Sequence, residues 1–255
     1  MPRHKIEAAM THPSRGFFDG QLKAHGAYAA TLVISSIGYA LATSPMVRRW
    51  GDAGPPDLVA LGQWFVVALA LPYFHQQYVW LVWRSELLHK GMTRLFRGNT
   101  KKAFRAYATG FFIGFALRPI PVILCAYYDR TVTAIPFLPA AIVAAILLVP
   151  AAYAGYSVKR YFGMLRATGE DHFIEEAKTR PFVRQGMFKY SSNAMYAYVP
   201  LLLWSIAIVA RSPVALIAAV AQHGILWVHY YCTEKPDMAR IYGETPKEAD
   251  VKAVS

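Results

Sequence analysis

Apolar residues run along this chain in long blocks rather than in strict alternation with polar ones. Blocks at about His25 to Ser44, Leu58 to Trp83, Tyr107 to Tyr128, Val132 to Val158, Ser192 to Ala210 and Ser212 to Tyr231 each approach the roughly 20 residues a helix needs to cross a bilayer. The pattern predicts an all-α, polytopic membrane protein of about six transmembrane helices, the second and fourth long enough to tilt or extend past the bilayer. Only Arg211, Ser212 and Pro213 join the last two blocks, so these form a tight antiparallel hairpin that returns Glu234 to the face where Asn193 sits. Three regions follow: a segment over 1–25, a four-helix region over 26–158 with a basic loop at 85–105, and a C-terminal region over 159–255 containing the hairpin 192–231.

The polar residues between the blocks set an orientation. Counted by alternate loops, 22 Lys and Arg fall on one side, from Arg3, Lys5, Arg15 and Lys23 through the segments 84–105 and 159–189 to Lys247 and Lys252. The other side has Arg48, Arg49, Arg130 and Arg211. By the positive-inside rule this predicts an even number of spans with both termini cytoplasmic, in a bacterial inner membrane or the endoplasmic reticulum. Met1 to Gly26 has no apolar core of signal-peptide length and reads as a cytoplasmic start.

Composition agrees with the pattern: 55% of residues are hydrophobic and 16% charged, a balance suited to lipid rather than to a soluble domain of 255 residues. A formal charge of +12 would suit nucleic acid if it lay on one face. Here it lies between apolar blocks, and an anionic lipid surface is the expected partner. Within 85–105, Leu87, Leu88, Met92, Leu95, Phe96 and Phe104 alternate with cations and predict an amphipathic helix lying on the membrane. In the second long loop, Thr168-Gly169-Glu170-Asp171 has the small and acidic residues of a helix start.

Several residues inside the blocks carry chemistry. Arg118 lies mid-span beside Pro119 and Pro121 and needs a partner or a wet cavity. Gly110 and Gly114 have the spacing of a helix-packing seam. His75, Gln76, Gln77, Gln222 and His223 read as hydrogen-bonded core polars ahead of cavity-lining groups. Cys125 and Cys232 fall at opposite ends of their spans and are expected as free thiols. No His or Cys spacing suggests a metal site, and no Gly-rich strand–turn–helix suggests a soluble nucleotide-binding domain.

The stretch from Gly186 to Gly243 organises the rest. Gly186-Met187-Phe188-Lys189-Tyr190, Asn193-Ala194-Met195-Tyr196, the hairpin, Glu234-Lys235-Pro236 and Ile241-Tyr242-Gly243 together resemble the C-terminal half of the integral-membrane methyltransferases. Of these, the phospholipid N-methyltransferases are more similar than the isoprenylcysteine carboxyl methyltransferases. Lys235 departs from the pattern, standing where a second Glu is usual.

The resemblance implies transfer of a methyl group from S-adenosylmethionine to a lipid head group, the amine of phosphatidylethanolamine or its methylated derivatives, in a cytoplasmic pocket. It implies cofactor contacts from Gly186, Asn193, Tyr196, Glu234 and Tyr242. An amine must lose a proton before attack, and His172, Glu170, Asp171 and Tyr190 are the base candidates. Arg118 and Arg184 are candidate substrate contacts. The alternatives are an isoprenylcysteine-type carboxyl methyltransferase, whose carboxylate acceptor needs no base, and a non-catalytic lipid-binding or transport protein on the same fold, which Lys235 favours.

Overall fold

The structure, a computed structural model, describes residues 16–45, 57–129 and 135–243. Among these all regular secondary structure is helical, with no strand. The expectations for Arg3, Lys5, Arg15, Arg48, Arg49, Arg130, Lys247 and Lys252 lie outside the described residues.

Five helices are long and apolar enough to cross a membrane: Gln21–Thr43, Leu58–His89, Thr100–Tyr128, Phe137–Phe162 and Pro213–Tyr242. We label the elements α1 (Gln21–Thr43), α2 (Leu58–His89), α3 (Gly91–Leu95), α4 (Thr100–Leu117), α5 (Pro119–Tyr128), α6 (Phe137–Ser157) and α7 (Glu175–Lys178). Next come α8 (Ala194–Tyr198), α9 (Leu201–Val209), α10 (Pro213–His229) and α11 (Lys235–Tyr242). The sequence pattern places a sixth span at Ser192 to Ala210. The structure has there only the short apolar stretch Ala194–Val209, interrupted at Pro200, whose missing amide ends α8 before α9 begins.

Local chemistry explains the boundaries. Asp57 caps α2 by accepting from the amides of Val59 and Ala60, and Asn99 caps α4 by accepting from Lys102 N at 2.9 Å. Ser212 caps α10, with Pro213 at the first helical position. Its hydroxyl also donates to Asp129 at 2.7 Å, which ties the end of α5 to the hairpin turn.

α10 is the central helix, packed against α1, α2, α5 and α9. Its contact face is built from Ala215, Ala218, Ala219 and Ala221, small enough for neighbours to approach closely. The absent side chains at Gly110 and Gly114 make room for the Tyr78 hydroxyl and the His75 ring, so the glycine pair is a seam between α4 and α2. Large apolar residues such as Ile34, Ile37, Ile142, Ile146 and Val149 point outward, where lipid rather than water would meet them. Cys125 and Cys232 are both free thiols.

Two loop expectations are corrected. Segment 85–105 is not one amphipathic helix: α2 runs on to His89, Lys90 turns the chain at φ 53°, α3 follows, and Arg97 and Gly98 lead into α4. Buried Glu86 fixes this corner by accepting from the amide of Thr93 at 2.9 Å and from its hydroxyl at 2.5 Å. Thr168 to Asp171 does not start an α-helix either. Gly169 adopts a left-handed φ of 87° between two short 3-10 turns.

Candidate functional site

At one end of the bundle, the starts of α1, α4 and α8 meet the ends of α2, α6 and α10. The loop from Gly163 to Tyr190 closes over this end. Thr168 O accepts from Trp83 Nε1 at 3.2 Å, and a side chain at Gly169 would lie 2.4 Å from the Trp83 ring, so only glycine lets the loop seat there. Further along, Met187 N donates to Ser157 Oγ at 2.9 Å. Gly186 has φ 60°, and a Cβ on it would fall 2.5 Å from that same oxygen. Gly186, expected as a cofactor contact, thus makes its close approach to the end of α6.

A set of carboxylates gathers beneath the loop. The Tyr196 hydroxyl donates to Glu234, joining the two ends of the hairpin region. The Tyr242 hydroxyl donates to Asp171. Asp237 lies 2.5 Å from Arg84 Nε and 3.6 Å from His172 Nε2, with all three side chains fully buried. Arg84 also donates to the carbonyls of Gly16 and Phe17, each at 3.2 Å, and Gln21 donates to Thr233 at 3.2 Å. The first and last described segments are thereby held together at this end. Asp171 and Asp237 both act electrostatically on Glu234, and with Glu170 the cluster has four acids against the guanidinium groups of Arg84, Arg166 and Arg180. Such a cluster favours a cationic ligand.

Beside it a cavity of about 240 Å³ extends into the membrane-spanning region. Phe111, Phe112, Phe115, Met195, Leu203 and Leu226 supply apolar lining, and Trp83 and Tyr196 connect it to the carboxylate cluster. His75, Gln76, Arg118, Gln222 and His229 supply polar groups. His75, Gln76 and Gln222 are buried, as expected of core polars, with His75 and Gln222 hydrogen-bonded to Arg118, and all three also line the cavity. Phe115, Leu202 and Met164 line the cavity and are each more than a third exposed, so it opens both sideways between helices and towards the loop.

The other expected site residues are placed as follows. Arg118 lines the cavity at the break between α4 and α5. Glu170 is held by Arg180 at 2.5 Å, Asp171 by Tyr242, and His172 stacks on Trp83 with ring centres 4.1 Å apart. None of these three lines the cavity. Tyr190 is 72% exposed and Arg184 is exposed, so neither is brought to it. Asn193 stands half-buried at the start of α8 without a side-chain capping bond. The groups of three or more His, Cys, Asp or Glu needed to hold a metal ion are absent among the described residues.

Sequence reasoning overlooked Trp83, Arg84, Asp237 and His229. Asp237 follows Glu234 by three residues at the end of one helical run, and that spacing is the signal that could have found it.

Residues 139–245 match the phospholipid methyltransferase family. The matched region spans α6 to α11 and so takes in Gly186, Asn193, Tyr196, Glu234 and Tyr242, the residues on which the sequence resemblance rests. With five helices of membrane-crossing length, the match supports a membrane methyltransferase acting on phospholipids. The remainder of the cavity wall, with His75, Trp83 and Arg118, comes from helices before the match begins. No curated protein and no solved structure matches the chain.

Proposed function

We propose that this protein transfers a methyl group from S-adenosylmethionine to the amine of phosphatidylethanolamine or its methylated derivatives, at the cytoplasmic face of the membrane. The observation that carries the proposal is the Tyr196–Glu234 bond: it draws the polar residues of the family-like region into one acceptor-rich cluster at the mouth of a lipid-accessible cavity.

The cluster suits the donor chemically. Glu234 offers acceptors to amino or ribose groups, and the excess of carboxylates favours a sulfonium. Tyr196 and Tyr242 border it through their bonds to Glu234 and Asp171, Asn193 stands just before α8, and Gly186 anchors the loop that covers it. When bound, the donor supplies an electrophilic methyl group. The chain's own residues align the acceptor with it and exclude water, as the aromatic lining from α4 and Trp83 is suited to do. A protonated amine must also give up a proton before it attacks, and His229 is the imidazole that lines the cavity nearest Glu234 along the same helical run.

The test is incubation of the purified protein with methyl-labelled S-adenosylmethionine and a total lipid extract. Label is expected in an amine phospholipid. Label in a carboxyl methyl ester, or none in any lipid, would overturn the proposal.

A further inference from the structure

The floor of the cavity holds a cation with no counter-charge. Arg118 is 6% exposed, lies well inside the bundle, and pairs with no carboxylate among the described residues. No acidic residue lines the cavity. An unpaired guanidinium in such surroundings is costly, and the usual resolution is an anion or water in a functional cavity.

The neighbouring polar atoms sharpen the chemistry. Arg118 Nη2 lies 3.0 Å from His75 Nδ1. A guanidinium only donates, so His75 Nδ1 accepts and the ring carries its proton on Nε2. Gln222 Nε2 donates to the carbonyl of Arg118 at 3.3 Å and so braces the residue where α4 breaks. The floor thus presents one positive charge without a carboxylate partner, braced by His75 and Gln222 in an apolar wall, the complement of an oxyanion.

We infer that Arg118 and His75 form an intramembrane oxyanion site that holds the phosphodiester of the phospholipid acceptor. This rests on the reading that the cavity takes a phospholipid, and it assigns the specificity to helices outside the family-matched region. The depth agrees. Gln222 lies seven residues deeper along α10 than His229, about 10 Å of helix, and Glu234 lies further towards the site end. A lipid entering from that leaflet, tails towards the membrane centre, would place its amine nearest Glu234 and His229 with its phosphate below. The opening at Phe115 and Leu202 lets the acyl chains remain in lipid.

The test measures binding by the full chain in detergent micelles, read as thermal stabilisation on titration with three probes. These are a phosphatidylethanolamine, a diacylglycerol with the same acyl chains, and inorganic phosphate. The native protein is expected to bind the phospholipid at least tenfold more tightly than the diacylglycerol, with no shift from inorganic phosphate. Arg118→Gln should weaken phospholipid binding by about tenfold to a hundredfold, to the diacylglycerol level, with S-adenosylmethionine affinity unchanged. Equal binding of phospholipid and diacylglycerol by the native protein would overturn the inference, and that comparison stands even if the variant does not fold. A shift with inorganic phosphate that Arg118→Gln abolishes would overturn the lipid assignment and make the ligand a free anion. Methyl transfer accompanied by equal binding of the two lipids would defeat this inference alone. Arg118-dependent phospholipid binding without methyl transfer would defeat the proposed reaction and leave the site standing.

Discussion

Tyr196 donates its hydroxyl hydrogen to the carboxylate of Glu234 across 38 residues of sequence, linking α8 to the turn that joins α10 to α11. The Tyr196 ring is also held by Tyr230, with ring centres 4.9 Å apart, and lies against Trp227. One oxygen of Glu234 is thereby fixed in place by packed aromatic groups, which is how a short side chain becomes a rigid acceptor for a ligand.

Glu234→Ala is therefore expected to weaken S-adenosylmethionine binding by about 1.5–3 kcal/mol, the scale of a hydrogen bond to a charged group. Tyr196→Phe keeps the ring packing and removes only the bond that orients the carboxylate, so a smaller loss in the same direction is expected. Calorimetric titration of both variants, each checked for native thermal unfolding, measures this. Unchanged affinity in a folded Glu234→Ala protein would make the carboxylate a structural group only.

The Arg84–Asp237 pair answers to a different measurement. Both side chains are fully buried, and removing one partner leaves the other as an uncompensated charge. Asp237→Asn should cost about 3–5 kcal/mol, seen as a lower melting temperature in detergent. The double change Arg84→Met with Asp237→Leu should recover much of that loss, because a well-packed apolar pair removes the desolvation penalty altogether. If the double variant is as unstable as the single one, His172 and the carbonyls of Gly16 and Phe17 carry the role assigned to the ion pair.

Much of this was legible in the sequence, for reasons that differ by element. The long apolar blocks mark their helices because a bilayer demands unbroken apolar length, and the meeting of Tyr196 with Glu234 follows from a short turn between two antiparallel helices. The block at Ser192 to Ala210 is helical but not one helix, because hydropathy does not register that Pro200 has no amide to donate and so divides α8 from α9. Arg84 and Asp237 escape notice because nothing local pairs them; only the folding of α2 against the end of the last helix does. Glu170, Asp171 and His172 look like free acid–base groups in a polar loop, yet each is used as a strut, against Arg180, Tyr242 and Trp83. Arg118 stood out, but not what lay beside it: His75 reaches it from another helix.

Orientation in the membrane rests on the cation count and has a direct check. Among the described residues, Lys23, Lys90, Arg94, Arg97 and the cations of 159–189 lie at the carboxylate end, and Arg211 lies at the other. Cysteines placed singly at Arg97 and at Arg211, in a protein with Cys232→Ser and buried Cys125 retained, should report opposite sides. In intact cells a membrane-impermeant maleimide should label only the Arg211 position, and the Arg97 position should become reactive after permeabilisation. Labelling of Arg97→Cys in intact cells would put the carboxylate cluster on the wrong side for a cytoplasmic methyl donor.

Lys235 bears most directly on whether the site can hold a cationic cofactor, since an ammonium beside Glu234 would repel a sulfonium. In the structure Lys235 is exposed, and its Nζ lies 5.9 Å from the centre of the Tyr231 ring, itself 57% exposed. The side chain has therefore turned to the outside of the helix, where a long aliphatic stem can carry its charge to the headgroup layer. Glu234 meanwhile bonds to Tyr196 on the interior side. With the charge directed away from the site, Lys235→Glu should change S-adenosylmethionine affinity by less than about threefold, and the difference should shrink further as salt rises towards 1 M, where exposed charges are screened within about 3 Å. Titration of both proteins at low and high salt provides the measurement. A gain of tenfold or more in the variant would mean that the ammonium reaches the bound cofactor after all, and absence of binding in both proteins would return the non-catalytic lipid-binding alternative to the front.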